Sequence, residues 1–207
     1  MQYKKLDKPT LHQAVQLLCR QDADLARIQN CNGYPPLWAR PASFRSLVQI
    51  ILEQQVSLRS AKAVYLRLSR QLGGITAENI LKTGPNGLRK AGLTRQKTAY
   101  ILGLARSIVD GDLKLRTLHR ASEASIRRQL LSMKGIGPWT TDIFLLMTLG
   151  RPDIWPQGDL ALNQSMRRLK RLPAAGEPEI QKIAESWRPW RSVAARMLWH
   201  DYLNRRR

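Results

Sequence analysis

The chain has 207 residues, enough for one sizeable domain or for two lobes with hydrophobic interiors. Its 35 Lys plus Arg stand against 15 Asp plus Glu, a net charge of +20 at 43% hydrophobic content, which excludes a disordered tail and implies a polyanionic partner such as nucleic acid. Two cysteines, Cys19 and Cys31, are too few for a disulfide framework or a four-thiolate iron–sulfur site, and neither a signal peptide nor a run of about 20 apolar residues is found.

Apolar residues recur at helical spacing and no run alternates as strands do, so the pattern predicts an all-α chain. Thr10 is the expected N-cap of a first helix to about Arg20, and Asp22 starts a short one that ends before the turn-rich Asn30–Pro36 stretch. Ser43 caps a helix with Phe44, Leu47, Val48, Ile51 and Leu52 on one face. A second helix runs from about Ser60 to Leu72 and stops at Gly73 and Gly74. Thr76 caps a further helix, the Thr83–Gly87 turn interrupts the chain, and Thr94 opens a helix to about Val109. The remaining helices are expected at 122–133, 138–149, 159–172, 177–187 and 189–204, with Pro138 and Pro189 in first turns, where a missing N–H costs nothing.

Two consecutive stretches carry the chemistry. Leu130-Leu131-Ser132-Met133-Lys134-Gly135-Ile136-Gly137-Pro138-Trp139-Thr140-Thr141-Asp142 reads as helix end, tight Gly-x-Gly turn and helix start. The turn suits an anion: glycines permit close approach, first-turn N–H groups face outward, and Lys134 adds a charge. An ordinary helix–turn–helix connection would use glycine as well. A Gly/Pro-rich loop, 150–158, then leads to Asp159, which opens another helix.

Hairpin, loop and aspartate together resemble the helix-hairpin-helix superfamily of base-excision DNA glycosylases, most closely its 3-methyladenine DNA glycosylase II branch. Ile51-Leu52-Glu53-Gln54-Gln55-Val56-Ser57, Gly92-Leu93-Thr94-Arg95-Gln96-Lys97 and Ala184-Glu185-Ser186-Trp187-Arg188-Pro189-Trp190-Arg191-Ser192 extend the likeness over about residues 44–203. The resemblance implies an all-α, two-lobed fold with a cleft between lobes, the lobes being 1–43 plus 155–207 and 44–154 of one glycosylase domain. The N-terminal α/β domain of the bacterial relative is not expected. It also implies a cytoplasmic, nucleoid-associated monomer acting on duplex DNA that carries a damaged base, with no membrane partner.

By the same resemblance Asp159 is the catalytic carboxylate, although an aspartate there is also a favoured N-cap and the two roles are compatible. Trp139, Trp199 and Ile143 fall at base-pocket positions, Ile143 standing where the family's best-known pocket has a tyrosine. Residue 193–194 and 197–198 spacing puts Trp199 off the apolar stripe of its helix, with Ser192 and Ala195. Gln55 falls at the minor-groove wedge, and Lys134, Gly135, Gly137 and Thr140 at the DNA backbone. Trp139 occupies the place where strand-cleaving members carry a Schiff-base lysine, so hydrolysis without lyase activity is expected. No cofactor is expected, a monovalent cation at the hairpin carbonyls being left open. The activity implied is excision of alkylated purines of the 3-methyladenine and 7-methylguanine type. Excision of deaminated or oxidised bases, and non-catalytic binding of damaged DNA, are the alternatives.

Overall fold

The computed structural model describes residues 5–205, and among them every regular element is helical. The chain divides into two compact units, Met1–Ala39 with Leu145–Arg207, and Arg40–Phe144. No helix among the described residues is long and apolar enough to cross a membrane.

In the first unit α1 (Lys8–Gln21) and α2 (Ala23–Asn32) precede α9 (Leu160–Leu169), α10 (Glu177–Glu185) and α11 (Arg191–Asn204). The N-cap of α1 is Asp7, not Thr10: its carboxylate accepts the Thr10 N–H at 2.8 Å, which places Thr10 inside the first turn. Asp22 caps α2 as expected, and α2 continues through Asn32 to Gly33. Helix α11 is the centre of this unit and packs against α9, α2 and α1. Every residue from Ser192 to Trp199 is buried, so the expected division between a core stripe and a separate Trp199 side does not exist. A helix covered on several sides has no polar face for a single stripe to oppose. It begins at Arg191, two residues later than read from Pro189.

The second unit contains α3 (Phe44–Glu53), α4 (Leu58–Leu72), α5 (Ala77–Lys90), α6 (Arg95–Val109), α7 (Glu123–Leu131) and α8 (Pro138–Ile143). Ser43, Ser57, Thr76, Thr94 and Ser122 each accept a first-turn N–H. The turn at 83–87 is a kink inside α5: Gly84 (φ 65°, ψ 179°) breaks the helix and Pro85 restarts it. A 3₁₀ segment, Leu115–Arg120, buries Leu115 and Leu118 without having shown a helical period. The helix read as 138–149 is α only to Ile143 and continues as a π turn over Phe144–Thr148.

Candidate active site and nucleic-acid interface

Within the first unit, Asp159 is the N-cap of α9 and only 8% exposed. Its Oδ1 accepts the Leu162 N–H at 2.9 Å and the Trp199 indole N–H at 3.2 Å. The cap and the predicted functional position are therefore the same side chain, with its direction fixed from both α9 and α11. The loop before it is equally constrained. Ser192 Oγ accepts the Ile154 N–H at 2.9 Å and donates to the Arg151 carbonyl at 2.7 Å, and Arg191 Nε reaches Asp153 at 2.8 Å. Glu177 accepts the Gly158 N–H at 2.8 Å and the Asn163 side-chain amide at 2.6 Å, which ties the last loop residue to α9. Sequence reasoning gave neither Glu177 nor Ser192 this fastening role, because their partners are backbone groups and side chains of other segments.

Trp199 is itself 8% exposed, and its ring meets Trp38 edge-on with centroids 6.5 Å apart. Trp38 was not singled out from the sequence; it follows two prolines in a segment that reads simply as a connection. Leu160, immediately after Asp159, is 82% exposed, an unusual state for a leucine beside a buried carboxylate.

Within the second unit the Gly-x-Gly hairpin joins α7 to α8. Gly135 has φ +90°, and a Cβ there would lie 2.1 Å from Cγ of Tyr100, so both the backbone and the packing demand glycine. At Gly137 a Cβ would meet nothing within 4 Å, so that glycine leaves open space beside the turn. Arg127 in α7 pairs with the buried Asp142 in α8 at 2.7 Å and clamps the two arms together. Burial lowers the Arg127 pKa, but pairing with Asp142 and Glu123 outweighs it and the net shift is upward.

Thr140, expected at the DNA backbone, is 2% exposed, and its hydroxyl accepts the Gln54 amide at 2.8 Å. Its side chain is thus an internal fastener, not a surface contact. Gln54 also donates to the Gly135 carbonyl at 2.9 Å, linking the end of α3 to the hairpin. Lys97 Nζ donates to the Leu52 and Gln54 carbonyls at 2.8 Å each, and burial pulls its pKa below the ordinary lysine value. Between these fasteners Gln55 is exposed with φ +55°, a left-handed conformation uncommon for a non-glycine residue, and is followed by the exposed apolar Val56 and Leu58. Gln54, Gln55, Lys97, Tyr100, Lys134 and the two hairpin glycines line one groove of about 480 Å³. Lys134 is exposed there, Trp139 is half-buried and Ile143 is 2% exposed, a core position of α8.

Among the described residues no group of three or more His, Cys, Asp or Glu side chains could hold a metal ion. For a monovalent cation at the hairpin, the Gly135 and Met133 carbonyls already accept Gln54 Nε2 and the Ile136 N–H, at 2.9 and 3.0 Å. Each of these carbonyls has a second lone pair beyond the hydrogen bond it accepts.

The fold, the hairpin and the aspartate-capped helix define a base-excision repair fold, and the chain belongs to the HhH-GPD superfamily of base excision DNA repair proteins, which it matches over residues 48–189. It is 28% identical over 174 residues to the DNA-3-methyladenine glycosylase of Bacillus subtilis, covering 77% of this chain and 57% of that one. The DNA-3-methyladenine glycosylase 1 of Schizosaccharomyces pombe is 27% identical over 161 residues, covering 75% of this chain and 71% of that one. The solved 3-methyladenine DNA glycosylase of S. pombe in complex with abasic DNA superposes with TM-score 0.84 at 26% identity, covering 90% of this chain and 95% of that one. The chain spans about three fifths of the length of its bacterial relatives from B. subtilis and Escherichia coli.

Proposed function

We propose that this protein is a monofunctional DNA glycosylase that flips an alkylated purine out of duplex DNA and hydrolyses its N-glycosidic bond. The observation that carries the reading is Asp159: a carboxylate 8% exposed, held by one backbone and one indole N–H at the mouth of a helix, in a chain of this family. Breaking the bond builds oxocarbenium-like positive charge on the deoxyribose. A fixed anion stabilises that charge more in the transition state than in the ground state and needs no reorganisation when the reaction occurs.

The remaining parts have separate tasks. Lys134, Gly135 and Gly137 bind a phosphate of the damaged strand through charge and outward backbone N–H groups. Gln55, protruding in its left-handed conformation with Val56 beside it, fills the space left by the flipped nucleotide and offsets a few kcal/mol of lost stacking. Trp139 stands in the hairpin's second helix where a Schiff-base lysine would be needed for strand cleavage, so water is the attacker and an intact abasic site is the product. The protein acts as a monomer on damaged duplex DNA. The excess of basic residues supplies the non-specific attraction that lets it search.

The test is base release from duplexes carrying 3-methyladenine, 7-methylguanine, hypoxanthine or 8-oxoguanine. Release of the two methylated purines ahead of the others is the expected result. Release of only deaminated or oxidised bases would move the substrate class, and tight lesion binding without release would make the protein a binder.

A further inference from the structure

Asp159 follows Gly158, whose φ is +76° and beside which a Cβ would meet nothing within 4 Å. A glycine in that conformation leaves the peptide that carries the aspartate freer to turn than any other residue would. Gly158 is also exposed, so it has neither a side chain nor burial to hold it. A reacting group misplaced by about 1 Å costs on the order of 100-fold in rate, so the carboxylate needs a restraint that its own loop does not provide.

Helix α10 provides it. Glu177, half-buried in the first turn of α10, accepts the Gly158 N–H through Oε1 at 2.8 Å and the Asn163 amide through Oε2 at 2.6 Å. Asn163 lies one turn into α9, and its own N–H returns to the Asp159 carbonyl at 2.9 Å. The two oxygens of one carboxylate therefore grip the chain on both sides of Asp159. Asn163 is 7% exposed, and its Oδ1 has no hydrogen-bond partner among the described residues. Burying an amide with its oxygen unmatched is costly, and what it secures here is the bond to Glu177. One turn further along α10, Gln181 accepts the Gln157 amide at 3.2 Å, so two successive loop residues are tied to the same helix.

We infer that Glu177 is a positioning residue for base release: it holds the peptide before Asp159 so that the carboxylate meets the sugar in its reactive direction, and it acts by reach, not by charge. This rests on the glycosylase reading above. Both Glu177 oxygens are engaged by N–H donors of the loop and of α9, an arrangement that fixes the neighbours of Asp159 and leaves the developing charge to Asp159 itself. The Gly158 N–H is exposed, so water takes it when Glu177 lets go. Losing the grip therefore costs little stability while it loosens the one carboxylate on which the rate depends.

Two conservative variants separate reach from charge. Glu177→Gln keeps the reach without the charge: its carbonyl accepts the Gly158 N–H, and the Asn163 amide can turn over to accept from its nitrogen. Glu177→Asp keeps the charge and a favoured first-turn residue but is one methylene too short to bridge both partners. Single-turnover excision of 7-methylguanine, affinity for a duplex bearing a tetrahydrofuran abasic-site analogue and melting temperature are measured for the intact chain, the two variants and Glu177→Asp combined with Asp159→Asn. Glu177→Asp should slow excision by about 10- to 100-fold with abasic-analogue affinity and melting temperature unchanged, Glu177→Gln by no more than about threefold, and Glu177→Asp should add no loss to Asp159→Asn. Excision by Glu177→Asp within twofold of the intact chain, a loss in Glu177→Gln as large as in Glu177→Asp, or a Glu177→Asp loss that persists beside Asp159→Asn or follows a fall in melting temperature would each overturn the assignment. An intact chain that releases no base of any kind would instead remove the glycosylase reading, and this inference with it.

Discussion

Replacing Lys97 by methionine keeps the apolar stem and removes the ammonium that joins α6 to the end of α3. Two bonds at 2.8 Å to the Leu52 and Gln54 carbonyls are lost. A hydrogen bond from a charged donor contributes about 1.5–3 kcal/mol net. The two bonds share one amine, its burial already opposes the charged form, and water in the adjoining groove can reach the released carbonyls, so the total should stay within the range for one such bond, about 2 kcal/mol. For a chain of this size that corresponds to a melting temperature lower by about 4–8 °C. The same change frees the peptide that precedes Gln55. Lys97→Met should therefore slow base excision in the intact protein but add little to the defect of Gln55→Ala, because both act through one side chain. Calorimetry and single-turnover excision on the two single variants and the double variant test this. A melting temperature within about 1 °C of the parent, or fully additive losses of rate, would refute the idea that Lys97 braces the wedge.

Gly135→Ala should destabilise by about 2–4 kcal/mol in denaturant unfolding, since it combines a left-handed backbone with a methyl 2.1 Å from Tyr100, whereas Gly137→Ala, with nothing within 4 Å, should cost under about 1 kcal/mol. Borohydride should trap no imine with abasic or lesion DNA under conditions that trap a strand-cleaving glycosylase. An adduct that disappears in Lys134→Ala would show that the turn lysine reaches the sugar after all. In the first unit, desolvation raises the Asp22 pKa but hydrogen bonds from Lys170 and Trp187 outweigh it, leaving the carboxyl below 3.8. Its contribution to stability is thus present above that value and lost as pH falls through the lower folded value. The stability gap between the parent and Asp22→Asn should be open at neutral pH and narrow as pH falls below 3.8, and a gap independent of pH would contradict the pairing.

Much of this was legible because the signals are local. Ser43, Thr76, Thr94 and Asp159 cap helices as their side chains predict, each by accepting an N–H from its own first turn. The hairpin was legible because glycine, glycine and proline stand between two helical patterns, and Asp159 as a cap because it follows a Gly/Pro-rich loop. What escaped was set by tertiary partners. Thr140 looks like a surface residue of a first turn until Gln54 is seen on its hydroxyl. Helix α11 has apolar residues on several sides with a buried arginine among them, so no stripe in its sequence could report that it is central. Trp38 and Arg196 act through contacts between segments more than a hundred residues apart, and Glu177 accepts the Gly158 N–H and the Asn163 amide from the preceding loop and helix; none of these leaves a periodic trace.

The central claim, that Asp159 is the anion which stabilises the developing charge on the sugar, is tested most directly by Asp159→Asn on one lesion-containing oligonucleotide. Asparagine can still cap α9, so the fold should be retained. The account predicts that single-turnover base release falls by at least about 100-fold while affinity for the same duplex is unchanged or tighter, because a negative charge near phosphates has been removed. Release within about threefold of the parent, by a variant with an unaltered melting temperature, would contradict it.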